Sequence, residues 1–203
     1  MLPGKDLYYE CPKCKNILSK GSLLSGNNIG AELFSDGKQI APMLPEFPSI
    51  SKCSKCSTIF WLNKVSIIDN DEIEDVEQAK FLTPDEYIIA IQNNNYKSKK
   101  EELFLRTRLW WKFNNRIRDN KALFEKENDE KIWAENIERL IKLLNYNDID
   151  QRIMIAELNR NLGNFQKCSD ILATLTNPDY DDFKELFARE IANKNTNVFK
   201  LWG

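Results

Sequence analysis

The chain has 203 residues, with 29 Lys or Arg against 31 Asp or Glu, a formal net charge of −2 and a pI near 5.5. That balance provides no global basic field for nucleic acid, although a local patch stays open, and no run of about 18 apolar residues is present to span a membrane. The complete absence of histidine excludes Ser-His-Asp and Cys-His catalysis, histidine general bases and histidine-rich catalytic metal sites. Only seven glycines occur, none in a dinucleotide or Walker pattern. Carboxylates, Lys and Tyr remain as possible catalysts, but no stretch assembles them, so a non-catalytic protein is expected. A hydrophobic fraction of 42% suits one ordinary domain or two small ones.

The organising feature is a pair of couples, Cys11-Pro12-Lys13-Cys14 and Cys53-Ser54-Lys55-Cys56. Two such turns supply four thiolates, and each turn holds its sulfurs about 3.5 to 4 Å apart, as two metal–sulfur bonds of about 2.3 Å require at a tetrahedral angle. The expected ion is a structural Zn2+ held by Cys11, Cys14, Cys53 and Cys56, and the same geometry accepts iron. A redox dithiol fits less well, because neither couple sits in a βαβ unit. Disulfides fit less well still, since Met1 to Asp6 contains no apolar signal core. Only Cys168 stands outside the couples, a pattern expected of a reducing compartment, the cytoplasm.

In chain order, residues 7 to 10 read as a strand entering the first thiolate turn, and residues 14 to 18 leave it. The second turn is entered from residues 50 to 52 and left through Thr58-Ile59-Phe60-Trp61-Leu62, a β-prone run. Strand, knuckle, strand, twice over, predicts a zinc ribbon, too small to be stable without its metal. Between the couples a hairpin over residues 29 to 38 turns at Ser35-Asp36-Gly37-Lys38. Three prolines then force residues 41 to 48 into an extended path. Met43, Leu44 and Phe47 on this segment either pack internally or dock another protein, since apolar groups on a Pro-stiffened loop lose little entropy on binding.

The acidic run from Asp69 to Glu77 reads as a boundary. Thr83-Pro84-Asp85-Glu86 is a capping box that opens a helix to about Asn94. Ser98-Lys99-Lys100-Glu101 opens a longer one to about Arg118, with Leu103, Trp110, Phe113 and Ile117 near one face. Asp129 caps the next, where Trp133, Ile137, Leu140, Ile141 and Leu144 recur at spacings of three and four. Asp148 caps a helix from Ile149 to Asn161 that Gly163 ends, Asn164 caps one from Phe165 to Leu175, and Asn177-Pro178 starts the last. The expected fold class is therefore α+β: a β ribbon over residues 1–68, an acidic linker over 69–82 and an all-α helical-hairpin domain over 83–203, with antiparallel neighbours where connections are short.

Ala156, Leu162-Gly163-Asn164-Phe165, Lys167-Cys168 and Pro178 resemble the small, turn, aromatic, small and terminal-proline positions of the tetratricopeptide repeat. The resemblance covers one copy, residues 149 to 180, and departs from the pattern at Arg152, where that family has Trp. It implies a packing role for Cys168 at a helix crossing. Joined to Cys-Pro-x-Cys and Cys-x-x-Cys-x-x-Ile-Phe-Trp, with Ser-Asp-Gly and Ala-Pro-Met-Leu-Pro between, the whole chain is similar to a bacterial family of zinc-ribbon proteins with a repeat-like helical half and no assigned activity.

The one basic, aromatic-rich segment runs from Arg106 to Lys121. On a helix Arg108, Lys112 and Arg116 form an i, i+4 stripe able to track phosphates while a Trp stacks on a base; in the structural reading Trp110 and Trp111 are core and the cations solvate the outer face. The apolar end, Val198 to Trp202, docks on its own helices or fills a partner's groove. The leading functional expectation is a protein or peptide partner on the helical platform, with nucleic acid second and an enzyme third.

Overall fold

The computed structural model describes residues 1–68 and 76–203. Strands come first: β1 (Leu2–Pro3), β2 (Leu7–Glu10), β3 (Ile17–Lys20), β4 (Leu23–Ser25), β5 (Glu32–Phe34), β6 (Gln39–Ile40), β7 (Ile50–Lys52), β8 (Ile59–Trp61) and β9 (Ile67–Ile68). Helices follow: α1 (Pro84–Gln92), α2 (Lys99–Arg118), α3 (Asp129–Leu143), α4 (Ile149–Asn161), α5 (Phe165–Ala173) and α6 (Asp181–Ala192), before a last strand, β10 (Lys200–Trp202). The class is α+β, as the sequence predicts. The chain forms two compact units, one of residues 1–31 and 40–95, the other of residues 32–39 and 96–203.

In the first unit β2 is the centre of an antiparallel sheet, β3-β2-β9, while β7 and β8 form a separate antiparallel pair. Alternation along these strands buries Tyr9, Leu18 and Phe60 with Leu62 around Cys11 and Cys53. Residues 77 to 82, expected as part of an acidic linker, are instead woven into this unit. Ser19 N–H donates to the Glu77 carbonyl and Ala79 N–H to Ser19, Lys80 exchanges hydrogen bonds with the Ser51 hydroxyl, and Leu82 is buried. Residues 69 to 75 of the acidic run lie outside the described residues.

Helix α1 also belongs to the first unit rather than to the helical domain. Its capping box is complete, with Glu86 N–H on the Thr83 hydroxyl and Thr83 N–H on the Glu86 carboxylate. Glu86 also pairs with Lys52 on β7. Past the end of α1, the Asn95 carbonyl accepts from Trp61 Nε1 at 2.6 Å and the Asn95 amide donates to the Ile59 carbonyl. These bonds fix the helix to the β7–β8 hairpin, which no local signal in the helix itself predicts.

In the second unit α2 to α6 pack chiefly on their sequence neighbours. The buried face of α2 carries Leu105, Leu109, Trp110 and Phe113, while Leu103 and Ile117, expected on it, are only half-buried. Ser98 caps α2, but Glu101 reaches back to Lys97 N–H, one residue outside the expected box. Asp148 caps α4 through Gln151 N–H and Gly163, at φ 75, ends it in the left-handed region. Asn164 makes no side-chain cap to α5, and Asn177-Pro178 starts a single 3-10 turn, Pro178–Tyr180, before α6. Asp129 does not cap α3: the 119–128 loop folds back so that its carboxylate accepts from Glu125 N–H, Lys126 N–H and the Arg116 guanidinium at 2.6 Å.

The hairpin of residues 32 to 39 belongs to this unit, although the sequence places it in the ribbon. Gly37, at φ 73, donates to the Phe34 carbonyl, the three-residue turn that needs glycine in the left-handed position. The turn presents Ser35 and Asp36, both buried. Asp36 pairs with Arg118, accepts from the Asn114 amide at 2.8 Å and from Lys38 N–H, and its carbonyl takes Trp111 Nε1. The Ser35 hydroxyl donates to Glu157 at 2.7 Å and accepts from Phe199 N–H. Glu157 and Arg160, both fully buried, form a two-bonded ion pair, and Arg160 continues to the carbonyls of Asn195 and Asn197. Asn161 links Glu157, the Thr196 carbonyl and Trp110 Nε1. Burial pushes the Glu157 carboxyl up, and Arg160 and the Ser35 hydroxyl oppose that shift. The end of the chain is thus the edge strand of a three-stranded sheet, β10-β5-β6: β10 pairs antiparallel with β5, and Val198 just before it is buried.

Two expected outcomes follow from these pairs. Asp36→Ala leaves the Arg118 guanidinium, whose side chain is 6% exposed, without its carboxylate, and denaturant unfolding of the full chain will show a loss of about 3 kcal/mol or more; Asp36→Asn, which keeps the turn, will lose less. Acid is the second probe. Arg139, against some burial cost and with help from Arg106, holds Glu102 below its ordinary range, and backbone amides and Arg116 hold Asp129 low despite burial. A carboxyl depressed in the folded state stabilises above its unfolded value and loses that contribution as pH falls, so stability will decline below about pH 4. Asp129→Asn will flatten that decline in a pH series of unfolding curves.

Candidate metal centre

Each cysteine couple is built on a hairpin with the same hydrogen bonds. In the first, Cys11 N–H donates to the Asn16 carbonyl at 2.8 Å and Lys15 N–H to the Cys11 carbonyl at 3.0 Å; in the second, Cys53 N–H donates to Thr58 and Ser57 N–H to Cys53, both at 2.9 Å. Both turns close through a non-glycine residue in the left-handed region, Lys15 at φ 63 and Ser57 at φ 59. Such a backbone is unfavourable for a residue with a Cβ, and it recurs at the same place in both knuckles, where the chain turns back to make the Cys11–Asn16 and Cys53–Thr58 hydrogen bonds.

The four sulfurs lie within 4.8 Å of one another. Across the couples Cys11 Sγ and Cys56 Sγ are 3.6 Å apart, as are Cys14 Sγ and Cys53 Sγ. That is far beyond the ~2.05 Å of a disulfide and close to the ~3.8 Å edge of a tetrahedron with metal–sulfur bonds of about 2.3 Å. Cys11 and Cys53 are buried, Cys14 and Cys56 half-buried. The donor set fits a metal ion, and all four expected ligands converge on it.

Thr58 completes the environment. Its hydroxyl lies 3.2 Å from Cys56 Sγ and, with its backbone amide, pulls the Cys56 thiol down to about 6. For Cys14 an Asn16 backbone hydrogen bond acts downward, but burial and the three neighbouring sulfurs push it up to about 12. The contrast has a simple cause: four sulfurs crowded together cannot all be anionic unless a cation sits among them. Thr58 had no sequence signal beyond its place two residues after Cys56.

The other predicted site residues divide. Met43 and Leu44 are exposed at 38% and 42%, whereas Phe47 is half-buried, its ring so close to Gly21 that a Cβ there would sit 2.5 Å from it. Of the cationic stripe, the Arg116 side chain is 11% exposed and bound to Asp129 and the Leu123 carbonyl. Arg108 lies over the Phe104 and Trp111 rings at 5.1 and 4.8 Å, and Lys112 is half-buried with a partner of its own. Trp110 is core and Trp111 half-buried, its indole nitrogen committed to Asp36. Among the described residues no helix is long and apolar enough to cross a membrane.

Cys11→Ser or Cys56→Ser will abolish metal binding, read as bound metal per chain by elemental analysis, whereas Cys168→Ala, which removes a buried thiol of the other unit, will leave metal content unchanged and cost about 1 kcal/mol of stability. Because protons compete for the thiolates, metal affinity will fall as pH is lowered. Comparison with known proteins finds no family model, no curated protein and no solved structure that matches this chain.

Proposed function

We propose that this protein is a non-catalytic protein-binding module in which a structural Zn2+ on Cys11, Cys14, Cys53 and Cys56 holds the ribbon together. Four protein sulfurs fill a tetrahedral ion and leave it no open position, the arrangement of a structural rather than a catalytic site. Zinc is preferred to iron because it is the commoner occupant of paired Cys-x-x-Cys knuckles. A reducing compartment, the cytoplasm, suits a site of four thiolates.

The observation that carries the binding reading is an exposed apolar surface on the first unit. Leu24 and Ile29 are 73% and 76% exposed, on the segment whose Gly26 abuts the Met43 carbonyl and the Leu44 side chain. The prolines that flank Met43 and Leu44 limit what ordering costs on binding, and grouped apolar side chains of this kind mark interaction surfaces. On the helical side, the reading of residues 149 to 180 as a repeat-like binding platform is supported by the full burial of Ala156 and Cys168 on the packed pair α4 and α5. The nucleic-acid alternative is weaker, since Arg116 is committed to Asp129 and a buried ion pair is costly to open. Met43→Asp with Leu44→Asp, both exposed, will leave thermal unfolding and metal content unchanged and will remove a stoichiometric protein partner from the tagged, nuclease-treated chain. Capture that is indifferent to these charges, or that disappears with nuclease, would refute the assignment.

A further inference from the structure

The second unit holds a cavity of about 530 Å³, within the range that accommodates a small organic ligand. Its walls come from α2, α4, the 3-10 turn with the start of α6, the β5 turn and β10. Its lining is apolar at Leu33, Ile153, Met154 and Leu201 and aromatic at Trp111, Tyr180, Phe183 and Trp202. Trp202 is 59% exposed, an uncommon state for an indole unless something else covers it.

The charged groups on this lining are of one sign. Asp36, Asp150 and Asp179 line the cavity, and among the described residues lining it there is no Lys or Arg. The charge of Asp36 is met by Arg118. Asp150, in the first turn of α4, and Asp179, in the 3-10 turn, remain as the acids of the rim; Asp179 accepts one hydrogen bond from the Asn177 amide. Aromatic faces beside carboxylates in a partly dehydrated cavity attract cations. Two rings of the lining, Trp111 and Phe34, already do so within the fold: Arg108 lies 4.8 Å from the Trp111 ring centre and Arg118 lies 4.5 Å from that of Phe34.

We propose that this cavity binds a small organic cation, an ammonium or amidinium group on an apolar body, with the body on Ile153, Met154 and Phe183 and the charged head between Asp150 and Asp179. A concave site walled by five segments suits a compact ligand better than an extended chain, so the occupant is a small molecule and the site is separate from the protein-docking surface of the first unit.

The test compares three heads on one body: 4-phenylbutylammonium, 4-phenylbutanol and 4-phenylbutyrate, each titrated into the full metal-loaded chain by calorimetry and by tryptophan fluorescence. The ammonium is expected to saturate one site at least about tenfold more tightly than the alcohol, about 1.4 kcal/mol, with the carboxylate weakest and the ammonium affinity falling with salt. Asp150→Asn with Asp179→Asn will bring the ammonium to the level of the alcohol while leaving the alcohol itself unchanged, which also reports that the cavity is still formed. Trp202→Ala will weaken both. Equal binding of the three heads, an ammonium affinity untouched by the double Asn variant, or no saturable binding of any probe would each overturn the proposal.

Discussion

Four sulfurs at tetrahedral spacing are the constraint on which the first unit depends. The sheet β3-β2-β9 and the hairpin β7–β8 share no ladder, and each is too short to be stable as an isolated element. They are joined by residues 77 to 82, which bond Ser19 on β3 and Ser51 on β7, and by Cys11 and Cys14 from one and Cys53 and Cys56 from the other, with Tyr9, Leu18, Phe60 and Leu62 packed around. An ion at the centre would resolve two local difficulties together: it would neutralise crowded thiolates, and its binding energy would offset the left-handed backbone at Lys15 and Ser57.

The second unit is governed by a different kind of constraint, a buried polar network. Glu157 and Arg160 sit on α4 fully out of solvent, where an ion pair is tolerable only when its remaining hydrogen-bond capacity is met. Ser35 from the hairpin, Asn161 from the same helix and the carbonyls of Asn195 and Asn197 meet it, and Asn161 in turn donates to the Thr196 carbonyl. Helical packing alone would leave those groups without partners. The hairpin and the end of the chain are therefore integral to the helical unit, where Val198 is buried and Phe199 half-buried against Phe187 and Arg160.

The same reasoning separates the residues available for binding from those spent on the fold. Arg116 belongs to the stripe that the sequence offers to phosphates and acts as the counter-charge for Asp129, as Arg118 nearby does for Asp36. Phe47 looks equivalent to Met43 and Leu44 and instead covers Gly21. Among the surfaces left open are the apolar side chains Leu24, Ile29, Met43 and Leu44 on one unit and an aromatic cavity lined by three acids on the other, two surfaces of different chemistry.

Local rules in the sequence determined much of this protein. The Cys-x-x-Cys spacing set the ligand group, the Thr83–Glu86 box and Asp148 set helix starts to the residue, and Gly37 and Gly163 set turns, because each depends on atoms within four residues of one another. The sequence misjudged what depends on distant partners. Asp129 has the right identity and position for a cap, but a loop and Arg116 reach it first. The acidic run suggests a solvated linker, yet residues 77 to 82 find the β3 edge and the Ser51 hydroxyl. Only the tertiary structure decided that residues 32 to 39 leave the ribbon segment to join the helices, since the reason for it, a buried glutamate 122 residues away from Ser35, leaves no mark on the hairpin's own sequence.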